Sequence, residues 1–182
     1  MQDMMEVHYM EEMKGEKTLE HMAKLASKGD EDSFVALCEA MKKQLFRAAK
    51  GILAEDSLAL EAVSEAVFRA YKGIRRLRQP QYVATWFTRI LINAANDIYK
   101  RQKREIAFEE PKAENVYYDD HDNLNFQQMI DTLPIELRKI VSLKYYSEFT
   151  LEEISRILRS PVGTVKSRLN RALKQLRMEV EE

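Results

Sequence analysis

Between Phe34 and Ile52 the apolar side chains return every third or fourth residue: Phe34, Cys38, Met41, Leu45, Ala48 and Ile52. That period puts all six on one face of an α-helix and does not suit a strand, whose faces alternate at every second residue. The spacing recurs twice. Val63, Val67, Ala70 and Ile74 form a second stripe in a helix starting near Asp56–Ser57. Trp86 or Phe87, Ile90, Ala94 and Ile98 form a third, in a helix from about Tyr82 to Arg104. A shorter periodic stretch, Leu19 to Leu25, stops at Gly29–Asp30, where Asp30 or Asp32 is placed to cap the next helix. Only 5 glycines and 4 prolines occur in 182 residues, too few for the tight turns of sandwiches, barrels or glycine-loop nucleotide folds. The expected fold class is all-α.

Hydrophobic residues make up 45% of the chain, enough for packed cores. A single cysteine, Cys38, precludes an internal disulfide and reads as a small core residue. The three histidines, His8, His21 and His121, lack metal-ligand spacing, so neither metal nor cofactor is expected. No apolar run reaches a membrane-spanning length, and the acidic start of the chain lacks the pattern of a signal peptide, so a cytoplasmic protein is expected. There is no glycine-rich phosphate loop and no Cys/His or Ser/His constellation, which argues against an enzyme.

The charges balance overall, 29 Lys and Arg against 30 Asp and Glu, but they are segregated. Residues 69–104 hold ten basic side chains and one acid, Asp97, interleaved with Tyr71, Tyr82, Trp86, Phe87 and Tyr99. Cations neutralise phosphates and aromatic rings stack on unpaired bases, so this composition suits an opened nucleic-acid strand. Residues 105–123 carry seven acids against Lys112 and show no helical period, the pattern of an acidic flexible linker. A second helical block follows from 124, with helices expected at Phe126 to Leu133, Ile135 to Tyr146, Leu151 to Leu158 and Val162 to about Val180.

The last two of these have the layout of a helix-turn-helix. Thr150 with Glu153 makes a capping box, Arg159–Ser160–Pro161 the turn, with Ser160 a cap and Pro161 a first position for the last helix. At 100° per residue, Val162, Val165, Leu169, Ala172, Leu173 and Leu176 gather on one side of that helix. Ser167, Arg171 and Lys174 lie opposite, flanked by Thr164, Lys166, Arg168 and Asn170. One side packs and the other offers guanidinium, ammonium and hydroxyl groups to a major groove.

Two sets of motifs carry a resemblance. The first is EAVSEAVFRAYKGI at 61–74 with TWFTRILINAANDIYKRQKR at 85–104; the second is the stretch 133–177, containing P-x-G-T-V-K-S-R. Together they resemble bacterial RNA polymerase sigma factors of the extracytoplasmic-function class of the sigma-70 family, across nearly the whole chain. The resemblance implies region 2 over 1–104, the linker over 105–123 and region 4 over 124–182. It implies docking of Glu61, Ser64, Glu65 and Phe68 on the clamp coiled coil of core RNA polymerase, and a flap contact by the helices before the turn. It implies reading of the minus-ten promoter element by Arg75, Arg76, Tyr82, Trp86, Arg89, Asn93, Lys100 and Arg101. It implies duplex minus-thirty-five binding by Thr164, Lys166, Ser167, Arg168, Arg171 and Lys174, and an anti-sigma factor as a partner. The alternative is a stand-alone helix-turn-helix regulator, which leaves the basic region 69–104 unexplained. The family often has glycine where this chain has Arg159; a left-handed arginine there costs about 1–2 kcal/mol.

Overall fold

The computed structural model describes residues 18–108 and 129–180, and among the described residues there is no strand. The helices are α1 (18–27), α2 (Glu31–Lys50), α3 (Asp56–Gly73), α4 (Val83–Phe108), α5 (129–132), α6 (Ile135–Val141), α7 (Leu151–Leu158) and α8 (Val162–Val180). Two 3₁₀ turns, Ile74–Arg76 and Pro80–Tyr82, connect α3 to α4, and α6 runs on into a π-helical turn, Ser142–Tyr146. Helix α4 continues four residues past the expected end at Arg104. The rest of the acidic linker, and the expected helical start at Phe126, lie outside the described residues.

Local chemistry sets the helix ends. Gly29 closes the α1 turn at φ +103, a backbone conformation that favours glycine. Asp30 then caps α2: its carboxylate accepts from the Ser33 amide at 3.4 Å and from the Ser33 hydroxyl at 2.8 Å. At α7 both arms of the capping box form, with the Glu153 amide donating to Thr150 Oγ1 at 3.2 Å and the Thr150 amide to Glu153 Oε2 at 2.8 Å. Arg159 ends α7 in the left-handed region, at φ 51 and ψ 44. At α8 the expected capping differs. The helix starts at Val162, so Pro161 precedes it and its carbonyl accepts from the Val165 amide; the Ser160 hydroxyl turns back to the Leu158 carbonyl.

Helices α2, α3 and α4 pack on one another, and α6 and α7 pack on α8. The buried faces differ in detail from the apolar periodicity. On α2 the inward residues are Phe34, Leu37, Met41, Leu45 and Ala48; Leu37 takes the place expected for Cys38, which is half-buried. On α3 the fully buried face is Ala59, Ala62, Ala66 and Ala70, with Val63 and Val67 at its margin. Alanine has no bulk to hold neighbouring backbones apart, so α3 can approach α2 and α4 closely. On α8, Val165, Leu169, Ala172 and Leu176 are buried as the helical wheel requires, whereas Val162 is exposed.

Helix α4 shows how the two blocks are arranged. Leu91, Ile92, Ala94 and Ala95 are all buried, which takes in more than one face of a helix. Helices α2 and α3 cover one side of it, and α7 packs against it as well. The buried side chains of both blocks accordingly form one continuous cluster. Polar contacts cross the seam. Gln44 Nε2 donates to the Ser147 carbonyl at 3.0 Å, Ser142 Oγ to the Ala48 carbonyl at 3.3 Å, and Arg138 Nη1 to the Ile52 carbonyl at 3.5 Å. Gly51 permits this approach: a Cβ there would lie 1.8 Å from Ser142 Oγ and 2.3 Å from Ser142 Cβ.

Candidate nucleic-acid interface

The recognition-helix candidates lie on α8 much as its polarity demands. Lys166, Ser167, Arg171 and Lys174 are exposed, while Thr164 and Arg168 are half-buried. The Ser167 hydroxyl donates to the Thr164 carbonyl at 3.0 Å, one turn back, and still exposes its oxygen as an acceptor. The α8 face therefore offers cations for phosphates and planar donors for base edges along a single helix.

The second candidate surface spans the 3₁₀ connection and the first half of α4. Arg75 and Arg76 are exposed in the first 3₁₀ turn, and Tyr82 stands exposed at the end of the second. Trp86, Arg89 and Asn93 follow at intervals of three and four along α4, which places them on one helix face. Trp86 is half-buried against the end of α3, where a Cβ on Gly73 would lie 3.3 Å from its ring. Phe87 turns inward and is fully buried, with its ring centroid 6.1 Å from that of Trp86. The neighbouring aromatics thus divide, one to the core and one to the edge of the surface.

Lys100 and Arg101 lie further along α4, both exposed. Arg101 meets α3 there: its Nη2 donates to Glu61 Oε2 at 2.7 Å, and this guanidinium contact holds the Glu61 carboxyl below its usual range. Arg69 donates through Nε to Glu65 Oε1 at 2.7 Å and through Nη1 to Asp97 at 3.1 Å; the Glu65 contact raises the arginine further. The candidate polymerase-docking residues Glu61, Ser64 and Glu65 line this charged groove between α3 and α4. Phe68 continues the same ridge, 52% exposed, with Lys72 Nζ 3.9 Å above its ring. The structure therefore joins Arg101, a candidate for DNA, directly to Glu61, a candidate for polymerase.

Two features have little sequence signal. The Arg156 guanidinium of α7 sits 4.9 Å over the Tyr82 ring, a cation–π contact between the two blocks. Arg89, Asn93 and Arg168, assigned to different promoter elements, line one cleft together with Lys139 and Arg159. Both depend on how the blocks pack, which helical periodicity does not encode. Cys38 is chemically quiet: burial pushes its thiol up to about 11, so it stays protonated at neutral pH. Among the described residues no cluster of His, Cys, Asp and Glu could hold a metal ion, and no helix is long and apolar enough to cross a membrane.

Comparison with known proteins places this geometry. The family model for sigma-70 region 2 matches residues 37–105, and that for sigma-70 region 4 matches 123–176. RNA polymerase sigma factor SigV of Bacillus subtilis is 29% identical over 145 residues, covering 76% of this chain and 86% of the relative. ECF RNA polymerase sigma factor SigW of Bacillus subtilis is 29% identical over 185 residues, covering 92% of this chain and 99% of the relative. Among solved structures, CnrH in complex with the cytosolic domain of CnrY shares the fold at a TM-score of 0.74 and 17% identity, covering 90% of this chain and 97% of that one. Sigma factor RpoE, in complex with the anti-sigma factor NepR from Bartonella quintana, does so at 0.64 and 20%, covering 79% of this chain and 95% of that one. With region 2 carrying the aromatic and basic surface and region 4 the helix-turn-helix, the chain belongs to the sigma-70 family as an extracytoplasmic-function sigma factor, a promoter-recognising subunit for transcription initiation.

Proposed function

We propose a division of labour among three surfaces. Region 2, taken as 1–104, docks core RNA polymerase through Glu61, Ser64, Glu65 and Phe68. It reads the opened minus-ten strand through Arg75, Arg76, Tyr82, Trp86, Arg89, Asn93, Lys100 and Arg101. Region 4, taken as 124–182, holds the duplex minus-thirty-five element through Thr164, Lys166, Ser167, Arg168, Arg171 and Lys174, with 105–123 as the connection. The observation that carries this reading is the pairing of two unlike surfaces. One is a smooth basic helix face fitted to a groove, and the other mixes Tyr82 and Trp86 with cations, as stacking on unpaired bases requires.

In this reading the protein works in the cytoplasm and has no catalytic centre of its own, the chemistry of RNA synthesis belonging to the polymerase. An anti-sigma factor is its regulatory partner. The two solved sigma-fold structures support that step, since RpoE is seen with its anti-sigma factor and CnrH with CnrY.

The test is capture of core polymerase by the tagged protein, followed by run-off transcription on fragmented DNA of the source bacterium. The reading requires transcripts whose starts share two upstream elements and which core polymerase alone does not make. Specific DNA binding by the free protein, with no effect on polymerase, is the outcome expected of a stand-alone regulator.

A further inference from the structure

The cleft between α4 and the region 4 helices, of about 240 Å³, collects charge of one sign. Arg89 comes from α4, Lys139 from α6, Arg159 from the turn and Arg168 from α8, against a single carboxylate, Glu136. Glu136 is already engaged, accepting from Lys139 Nζ at 2.8 Å. The Lys139 side chain is only 9% exposed, which makes it an unusual lysine, since the cost of removing an ammonium from water normally keeps this residue outside. Arg89, Arg159 and Arg168 have no ion-pair partner among the described residues. Arg159 reaches its place with a left-handed backbone, a conformation that a glycine would adopt without strain.

Packing the blocks together therefore lines one cleft with three arginines that no carboxylate among the described residues pairs, Arg159 exposed and Arg89 and Arg168 half-buried, beside the Lys139–Glu136 ion pair. The mutual repulsion of the arginines opposes closure, and an anion in the cleft removes it. Asn93 and Ser160 line the same space and add neutral hydrogen-bonding groups. Guanidinium forks match the oxygens of phosphoryl groups. We propose that the cleft between regions 2 and 4 is a binding site for a small phosphoryl anion, which holds the two regions together. A nucleic-acid backbone is the less suitable occupant, because both blocks wall the cleft and the α8 face offers duplex DNA an open alternative. On the promoter reading above, the occupant also competes with DNA for Arg89, Asn93 and Arg168.

The test is calorimetric titration of the full-length protein with pyrophosphate at fixed ionic strength, with chloride as the matched control. It involves neither DNA nor polymerase, so its result stands apart from the promoter reading. Saturable binding is expected in the wild type. Arg159→Gly removes one cation while relieving the backbone, and should weaken binding about tenfold, the loss of one charge-assisted contact. Gly51→Ala leaves every charge in place but sets a methyl group against Ser142, so it should part the blocks and abolish binding. No saturable binding beyond the chloride control, or affinity unchanged in Arg159→Gly, overturns the site. Affinity unchanged in Gly51→Ala, with scattering showing separated blocks, overturns its position between the regions.

Discussion

Arg159 is held at φ 51 and ψ 44 by the helices on either side of it, and the cost falls on the turn. Replacing it with glycine should raise stability by about 1 kcal/mol in urea unfolding, the left-handed penalty less the entropy glycine adds to the unfolded chain. Thr150→Ala should lower stability by about 1 kcal/mol, because the Glu153 amide loses its acceptor. Glu61 gives a prediction in pH. Its carboxyl is depressed by the Arg101 contact, so the pair contributes stability above the ordinary glutamate range and loses it as pH falls through the lowered value. In carboxyl NMR titrations of Arg101→Ala, the Glu61 midpoint should move back up; an unchanged midpoint would mean that the pair does not form in solution. Thr150 and its partner Glu153 were legible in the sequence because a capping box is a local rule of a few residues, whereas a left-handed Arg159 was suggested only by the glycine that the resembled family often has there. The Arg101–Glu61 pair was not legible, because it joins residues forty apart across two helices.

At the scale of elements, the bounds of α7 and α8 were legible, since the capping box of α7, the turn and a strong two-sided polarity mark them, although Ser160 does not cap α8. Helix α3 was located correctly, but its buried side is the alanine stripe, and its valines sit at the margin. Apolar periodicity gives weight to large residues, whereas close packing selects small ones, so the two criteria diverge wherever helices approach tightly. Ala66→Leu tests this. If the alanine face is the packed one, overfilling it should cost about 1–3 kcal/mol in denaturant unfolding, while Val63→Ala at the margin should cost less. The reverse order would restore the valines to the core. Helix α4 hid its second buried side for a related reason: a helix covered from two directions has no clean stripe to read.

The whole molecule brings two segregated basic surfaces onto one helical body. The charge segregation was visible along the chain, but the seam joining the blocks was not, because it depends on Gly51, Ser142 and the carbonyls of Ala48, Ile52 and Ser147. None of these has a sequence signature. The central claim is that the two surfaces read different forms of promoter DNA. Asn93 lies two turns beyond Trp86 on α4, and Arg171 is exposed on α8. The most direct test is permanganate footprinting of Asn93→Ala and Arg171→Ala holoenzymes on fully duplex and premelted versions of one promoter. Arg171→Ala should reduce occupancy on both templates, by about 1–3 kcal/mol if it holds a base edge bidentately, and leave the opening of bound complexes intact. Asn93→Ala should leave duplex minus-thirty-five binding unchanged and impair engagement of the unpaired minus-ten strand. The same defect from both substitutions on both templates would contradict the two-surface account.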